Sequence, residues 1–312
     1  MKVLIICSGN SGNISTFVQE QALAVRKKGI EVDYFPIIGK NYSGYLGNLA
    51  KIKIKISTFD PDLIHAHFGL SALLSNFQRR VPVISTFHGS DIWVYRKNRF
   101  FSQIAHLLST HTIIVDPGMS EYLIFSKRVT NIPCGVEETT FSPVEKHTAI
   151  EKMNLSSDKV NILFASKFDY FEKNYKLAKQ ALHILGEGFN LIELKNYSRP
   201  QVNLLLNGCD LALMTSISEG SPQIIKEAMA CNCPIVSTDV GDVKKVLGNT
   251  NGCYITSFSP ADVAEKIKAA VEFRKKTGYT LGRERIIELG LDSESVAGKV
   301  IEVYKKVLKI SD

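Results

Sequence analysis

Short apolar runs alternate with amphipathic segments along the whole chain. In the first half, runs of strand length are Val3–Ile6, Leu63–Ala66, Val81–Ser85 and Thr112–Val115. In the second half, runs of the same kind are Asn161–Ala165, Leu191–Leu194, Leu211–Met214, Pro234–Ser237 and Gly252–Ile255. Near-continuous apolar strands separated by helices are typical of parallel sheets with helices on both faces. The pattern therefore predicts an α/β protein with two Rossmann-like, doubly wound halves.

A polar stretch, Glu145 to Lys159, separates the two halves. We therefore expect a first domain at 1–145 and a second domain at 146–292. A last helix is predicted at 293–312, because valines recur there with helical spacing at Val296, Val300, Val303 and Val307.

Composition narrows the class of protein. The chain has 312 residues, 45% of them hydrophobic and 22% charged, which is typical of a soluble globular protein with room for two domains. No apolar run approaches the roughly 20 residues that span a bilayer, so the cytoplasm is the expected compartment. The net charge of +7 suits a surface that faces phosphates or anionic lipid and does not require nucleic acid as a partner. The six cysteines lack the spacings of a zinc site or a disulfide framework and are predicted to be reduced.

The most informative stretch is Glu219 to Glu227, between the predicted strand Asp210–Met214 and a helix predicted from Pro222 to Cys231. The start of a helix offers backbone N–H groups and the positive end of the helix dipole, which suit a phosphate. Glu219 can reach the hydroxyls of a sugar, and Glu227 can accept from a second hydroxyl pair such as that of a ribose. The alternative reading of either glutamate is a solvated helix residue.

Together with its neighbours, this stretch resembles the nucleotide-sugar site of family 4 glycosyltransferases, and the similarity runs from Thr215 to Gly241. The resemblance implies that Glu219 contacts the transferred sugar and that Glu227 contacts the nucleotide ribose. The residues between them are expected to line the donor site, namely Gly220, Ser221, Pro222, Gln223 and Ile224.

Two lysines follow the first strand of the second half. Family members have Arg and Lys there, on either side of the donor diphosphate, and this chain has Lys167 and Lys173. Lysine keeps the charge but lacks the planar fork with which arginine binds phosphate at two points. Two lysines on a solvated loop remain the alternative.

Two loops of the first half add candidate contacts. Gly9 and Gly12 follow the first strand in a phosphate-type loop, although the dinucleotide pattern Gly-x-Gly-x-x-Gly is incomplete and a dehydrogenase is disfavoured. By resemblance this loop faces the donor phosphates and the acceptor, and a plain tight turn is the alternative. By the same resemblance, His88-Gly89 lies opposite the donor sugar, with Asp91 in the same loop; a structural histidine is the alternative.

We expect neither a metal nor a cofactor. Asp60-Pro-Asp62 has the Asp-x-Asp spacing of metal-dependent glycosyltransferases of another fold, but it precedes a strand of a doubly wound half and lacks convergent oxygens. His65 and His67, on the strand that follows, are predicted to be structural.

The resemblance implies a GT-B fold, with two facing domains and a last helix that returns to the first domain. It implies a retaining, metal-independent transfer of a hexosyl group from a UDP- or GDP-sugar to an acceptor hydroxyl, in which the leaving phosphate helps to deprotonate the acceptor. A nucleotide-sugar epimerase of the same fold and a non-catalytic nucleotide-sugar binding protein remain alternatives.

Basic residues are concentrated between Tyr45 and Phe101, interleaved near their end with aromatic residues. The cations are Lys51, Lys53, Lys55, Arg79, Arg80, Arg96, Lys97 and Arg99, and the aromatic residues are Tyr95, Phe100 and Phe101. Such a surface can bind anionic lipid. We therefore predict a glycan or lipid-linked glycan acceptor for surface polysaccharide, with peripheral association at the inner face of the membrane; a solvated basic face is the alternative.

Overall fold

A computed structural model describes residues 1–10, 12–39, 41–94 and 96–310. The chain divides into unit 1, which is Met1–Gly135 with Ser293–Asp312, and unit 2, which is Val136–Asp292. The boundary predicted at 145 lies further along the chain than this division. The connecting segment is tied to unit 2, because Val136 N donates to Leu291 O at 2.9 Å and Arg283 Nη1 donates to Phe141 O at 2.8 Å.

The helices and strands follow the alternation of the sequence. In unit 1 they are β1 (Lys2–Ser8), α1 (Thr16–Lys27), β2 (Glu31–Ile37), α2 (Asn41–Leu46), α3 (Leu49–Phe59), β3 (Leu63–His67), α4 (Gly69–Asn76), β4 (Val83–Phe87), α5 (Arg96–Leu108), β5 (His111–Ile114) and β6 (Val129–Asn131). In unit 2 they are α6 (Lys146–Met153), β7 (Val160–Phe164), α7 (Tyr175–Leu185), β8 (Phe189–Glu193), α8 (Arg199–Gly208), β9 (Leu211–Met214), α9 (Gln223–Ala230), β10 (Ile235–Thr238), α10 (Val243–Leu247), β11 (Cys253–Thr256), α11 (Pro260–Thr277) and α12 (Gly282–Glu288). The last helix, α13 (Ser293–Leu308), belongs to unit 1.

Each unit is built on a parallel sheet. The strand order is β2-β1-β3-β4-β5-β6 in unit 1 and β11-β10-β9-β7-β8 in unit 2. The apolar pattern did not predict β2 and β6, which are the two edge strands of the first sheet. Edge strands need no continuous apolar run, and β2 carries Glu31 and Asp33 within its seven residues.

Both faces of each sheet are covered. Along β1, Val3 and Ile5 pack with the helices α1 and α13, whereas Leu4 and Ile6 pack with α3 and α4 on the opposite face. This is the two-residue alternation expected of a strand. The predicted stripe of α13 does pack on unit 1, since Val296, Val300 and Val303 are buried in the core that it shares with α1.

All six cysteines are free thiols, four of them buried. Among the described residues, no helix has both the length and the apolar character needed to cross a bilayer.

Candidate functional site

The strand order of unit 2 brings two of the predicted loops together. Strands β7 and β9 are neighbours in the sheet but not in the sequence, so the winding direction reverses between them. Loops that leave two such strands diverge and open a crevice at the carboxyl edge of the sheet, where α/β proteins bind ligands. The loop after β7 carries Lys167 and Lys173, and the loop after β9 carries Glu219.

Backbone contacts join these two loops. Ile217 N donates to Glu172 O at 2.8 Å, and Thr215 Oγ1 lies 3.0 Å from the carbonyl oxygens of both Lys173 and Asn174. Asn174 is in the left-handed region with a φ of 51°, which ends the helical turn before it. The backbone of Lys173 is therefore fixed against the loop that carries Glu219.

The side chains of Lys173 and Glu219 form an ion pair. Oε1 of Glu219 accepts from the Lys173 ammonium and, at 2.7 Å, from Ser216 Oγ. Only 15% of the Glu219 side chain is exposed, so the two charges are largely shielded from water. Lys167 makes a different contact, with its ammonium 5.6 Å from the centre of the Tyr170 ring. Thus Lys173, of the two predicted phosphate ligands, is the one held at the glutamate.

The helix α9 begins beside this ion pair. Pro222 caps the helix and Gln223 is its first residue, so the helix begins one residue later than predicted from the proline. The loop before it is closely packed: Asp242 N donates to Gly220 O at 3.2 Å. A Cβ at position 241 would lie 2.1 Å from Gly220 O, and Gly241 has a φ of +56°, so this position needs glycine.

A fully buried lysine that was not predicted supports the same loop. Lys226 has no exposed surface, and its ammonium donates to Ser221 Oγ. Ser221 Oγ in turn donates to Asp242 Oδ2 at 2.5 Å, and that oxygen lies 3.8 Å from the ammonium. A lysine is almost never fully buried unless it is paired, and Asp242 supplies the opposite charge. Two features of the sequence could have predicted the burial of Lys226. Apolar residues surround it on α9, and α9 lies between two strands along the chain, as a buried helix does.

Glu227 is also buried and paired. It is only 2% exposed, and its Oε1 lies 2.8 Å from Arg199 Nη2 at the start of α8. The Arg199 guanidinium stacks over the ring of Phe141, with its carbon 4.4 Å from the ring centre. Glu227 is therefore not a solvated helix residue. Arg199 was likewise not predicted, because residue spacing gives no sign of a contact between two separate helices.

In unit 1, His88 lies in a cluster of histidines at the carboxyl ends of β3 and β4. His67 Nδ1 lies 3.0 Å from His88 Nε2, and Cys134 Sγ lies 3.8 Å from His88 Nδ1. His65 Nδ1 lies 2.7 Å from the Tyr304 hydroxyl. Burial lowers the pKa of His65 and of His88 to about 3 and that of His67 well below its usual value. These imidazoles are therefore neutral at physiological pH.

Asp91 supports the backbone of the His88 loop. Its Oδ1 accepts from His88 N and from Gly89 N, both at 3.0 Å. Gly89 has a φ of +111°, a conformation suited to glycine. Burial raises the pKa of Asp91 to about 6, against the effect of these backbone hydrogen bonds. The carboxylate thus holds the loop that carries His88.

The first loop of unit 1 is a close turn. Gly9 N donates to Ile37 O at 2.8 Å, and a Cβ at Gly9 would lie 2.9 Å from the Cβ of Pro36. Gly12 has a φ of +88°, and Ser11 between them lies outside the described residues. Both glycines are therefore explained by the backbone of the turn, whatever ligand it binds.

The carboxylates of Asp60 and Asp62 point to different partners. Asp60 Oδ1 pairs with Arg80 Nη2 at 3.1 Å, and Asp62 Oδ2 accepts from Lys2 N at 2.7 Å. Both residues precede β3, at the sheet edge opposite His88. Within the described parts of the chain, no three His, Cys, Asp or Glu residues are grouped as metal ligands.

Two family models match the chain. Residues 2–139 match the family model Glycosyltransferase Family 4, and residues 148–272 match the model Glycosyl transferases group 1. An uncharacterized glycosyltransferase of Methanocaldococcus jannaschii is 26% identical over 268 residues, which cover 75% of this chain and 73% of that protein. The N,N'-diacetylbacillosaminyl-diphospho-undecaprenol alpha-1,3-N-acetylgalactosaminyltransferase of Campylobacter jejuni is 27% identical over 41% of this chain and 32% of its own length.

Solved structures share the fold. Sucrose-phosphate synthase from Thermosynechococcus elongatus has a TM-score of 0.81 at 15% identity and covers 100% of both chains. HepE from Anabaena in complex with UDP-glucose has a TM-score of 0.74 at 15% identity, covering 98% of this chain and 100% of its own. The predicted GT-B fold is therefore confirmed, and the protein is a glycosyltransferase. It belongs to the family 4 type that its sequence resembles.

Proposed function

We propose that this glycosyltransferase moves a hexosyl group from a UDP- or GDP-sugar to an acceptor hydroxyl, with retention of configuration and without a metal. The observation that carries the proposal is the Lys173–Glu219 ion pair at the reversal point of unit 2, beside the start of α9. It combines a cation for phosphate with a carboxylate for sugar hydroxyls. HepE, which shares the fold, binds UDP-glucose.

The site residues take the following roles in this proposal. Glu219 binds the hexose and Glu227, oriented by Arg199, binds the ribose hydroxyls. The donor diphosphate lies on Lys173, Lys167 and the first amides of α9, where the helix dipole adds about half a positive charge. In unit 1, the loops of Gly9 and Gly12 and of His88 and Asp91 also take part in substrate binding.

The chemistry needs no separate base. The bond between the anomeric carbon and the diphosphate oxygen breaks, and the acceptor oxygen bonds to that carbon on the same face. The acceptor proton passes to the departing phosphate. Lys173 and the dipole of α9 stabilise the charge that develops on the diphosphate, the task that a metal ion performs in other enzymes.

The test is a thermal-shift screen against UDP- and GDP-sugars, followed by a transfer assay with the best donor in excess chelator. We expect a rise in the melting temperature with one class of donor, and acceptor-dependent product at an undiminished rate. A rate restored only by added manganese or magnesium would contradict metal independence. Donor conversion without an acceptor would favour the epimerase, and donor binding without any conversion would favour a binding protein.

We also propose a lipid-linked glycan acceptor, used at the inner face of the cytoplasmic membrane in making a surface polysaccharide. The Campylobacter relative acts on a diphospho-undecaprenol-linked sugar. Lys51, Lys53 and Lys97 of unit 1 are exposed, whereas Tyr95 and the side chain of Arg96 lie outside the described residues. At low salt, the protein should co-sediment with anionic vesicles but not with neutral ones. Equal pelleting with both kinds of vesicle would contradict membrane association.

A further inference from the structure

An apolar groove lies in unit 1, where α4 packs against both α2 and α5. It has a volume of about 380 Å³. Its lining is almost entirely apolar and includes Tyr45, Leu46, Leu70, Leu73, Phe77 and Phe101. A carbohydrate needs polar partners in its site, so this lining suits a hydrocarbon instead.

The groove runs away from the His88 loop. Leu70, Leu73 and Phe77 recur on one face of α4, and their spacing covers about 10 Å along the helix. The helix starts directly after the carboxyl end of β3, the sheet edge at which the His88 loop lies. Ser102 Oγ of α5 donates to Asp91 O at 3.0 Å, which fixes the neighbouring Phe101 relative to that loop.

The groove is open to solvent. Leu46 is 54% exposed and Phe77 is 40% exposed, although each is a large apolar residue. Neighbouring apolar side chains that stay exposed mark a surface that binds another molecule.

The charges around the groove indicate the chemistry of its ligand. The helices α2, α3, α4 and α5 contain no Asp or Glu. Lys97 lies one helical turn before Phe101, on the same face of α5. It is exposed and has no ion pair within the described part of the chain. An apolar groove with such a cation beside it complements an amphiphile with an anionic headgroup.

We propose that this groove binds the hydrocarbon chain of the acceptor, while Lys97 contacts its phosphate or diphosphate. This inference rests on the lipid-linked acceptor of the proposed function and assigns its chain to a site. The chain would lie along α4, and the sugar that receives the hexose would lie at the carboxyl edge of the sheet.

The test uses dodecyl phosphate, a single-chain anionic amphiphile, below its micelle concentration, with dodecyl maltoside and inorganic phosphate for comparison. Binding is followed by calorimetry. The groove variant is Leu46→Gln with Phe77→Gln, and the charge variant is Lys97→Gln. The matched control is Phe258→Gln, which changes a 54% exposed phenylalanine of unit 2 that does not line the groove.

We expect the groove variant to bind both amphiphiles about 10-fold more weakly or worse, since two apolar contacts are lost. The charge variant should lose affinity for dodecyl phosphate but not for dodecyl maltoside. The control should bind like the wild type, and inorganic phosphate should bind far more weakly than dodecyl phosphate. Unchanged binding by the groove variant, or an equal loss in the control, would overturn the assignment.

Two further measurements separate this inference from its alternatives. Sedimentation of the wild type and the groove variant tests whether the groove joins two copies of the chain; a dimer that the groove variant abolishes would overturn the lipid assignment. A thermal shift with nucleotide sugars is measured on the same variants. If donor binding and transfer persist but the groove variant binds dodecyl phosphate as tightly as the wild type does, only this inference fails. Absence of donor binding in the wild type would contradict the proposed function.

Discussion

The carboxyl edges of the two sheets share a topology but differ in charge. In unit 2, three carboxylates are paired with cations: Glu219 with Lys173, Glu227 with Arg199, and Asp242 with Lys226. In unit 1, the corresponding edge holds His65, His67 and His88, whose pKa values are lowered by burial. One edge is therefore built from carboxylates paired with cations, and the other from neutral imidazoles with one carboxylate, Asp91, that accepts from backbone N–H groups.

The physical reason is the cost of placing a charge away from water. A buried group keeps its charge where an opposite charge is within reach, and otherwise its pKa shifts until it is neutral. Unit 2 can therefore bind an anion by exchanging partners at Lys173, since the cation is already charged. The imidazoles of unit 1 are uncharged and can offer only neutral donors and acceptors. Four predictions test this contrast.

Lys226→Met should have the largest effect, because it leaves Asp242 as an uncompensated charge inside unit 2. We expect a loss of about 3–5 kcal/mol in the free energy of unfolding, measured by urea denaturation. The double variant Lys226→Met with Asp242→Asn removes both charges and should recover most of that loss. If the free energy of unfolding of Lys226→Met lies within about 1 kcal/mol of the wild-type value, the ion pair contributes little to stability.

Glu219→Gln should reduce transfer by about 100- to 1000-fold, the usual cost of losing one electrostatic contact to the reacting group. The affinity for the bare nucleotide should change little, because Glu219 is assigned to the hexose. Glu265→Gln on the surface of α11 serves as the control for the same chemical change. Transfer by Glu219→Gln at the wild-type rate would contradict a role for this carboxylate in the reaction.

Glu227→Ala should weaken binding of the bare nucleotide by about 1–3 kcal/mol, since charged hydrogen bonds to the ribose are lost. Calorimetry with the free nucleotide measures the effect. Arg199→Met should cause a smaller loss through misorientation of Glu227. If Glu219→Gln and Glu227→Ala impair nucleotide binding equally, the division of roles between the two glutamates is wrong.

The smallest effect concerns pH and unit 1. The pKa of His65 and of His88 is about 3 in the folded protein, against 6.5 ordinarily, so only the unfolded chain takes up these protons between those values. The free energy of unfolding should therefore fall as the pH falls below 6.5, by up to about 1.4 kcal/mol per pH unit for each histidine.

Asp91 acts in the opposite direction. Its pKa is raised from 3.8 to about 6, so its contribution to stability is full below 3.8 and is lost as the pH rises through 6. Asp91→Asn removes this opposing contribution. Between pH 6 and 4, urea denaturation should show stability falling with decreasing pH more steeply in the variant, by up to about 1.4 kcal/mol per unit. Equal slopes would mean that Asp91 titrates normally.

Much of this molecule was predictable from local pattern. The five apolar runs of the second half correspond to β7 through β11, and the valine spacing of the last helix identified its buried face. The stretch from Glu219 to Glu227 indicated the family, because its spacing depends only on neighbouring residues along one loop and helix. The strands β2 and β6 were not predicted, since an edge strand is exposed on one side and need not be continuously apolar.

The sequence by itself thus determined the two parallel-sheet halves, the buried face of the last helix and the location of the glutamate loop, all of which depend on periodicity within short segments. Only the tertiary structure determined which charged and polar side chains contact one another. Arg199 reaches Glu227 from another helix, Lys226 is buried against Asp242, and His88 contacts His67 from the adjacent strand. Such pairs depend on desolvation and on distances between segments far apart in the chain, which residue spacing does not encode.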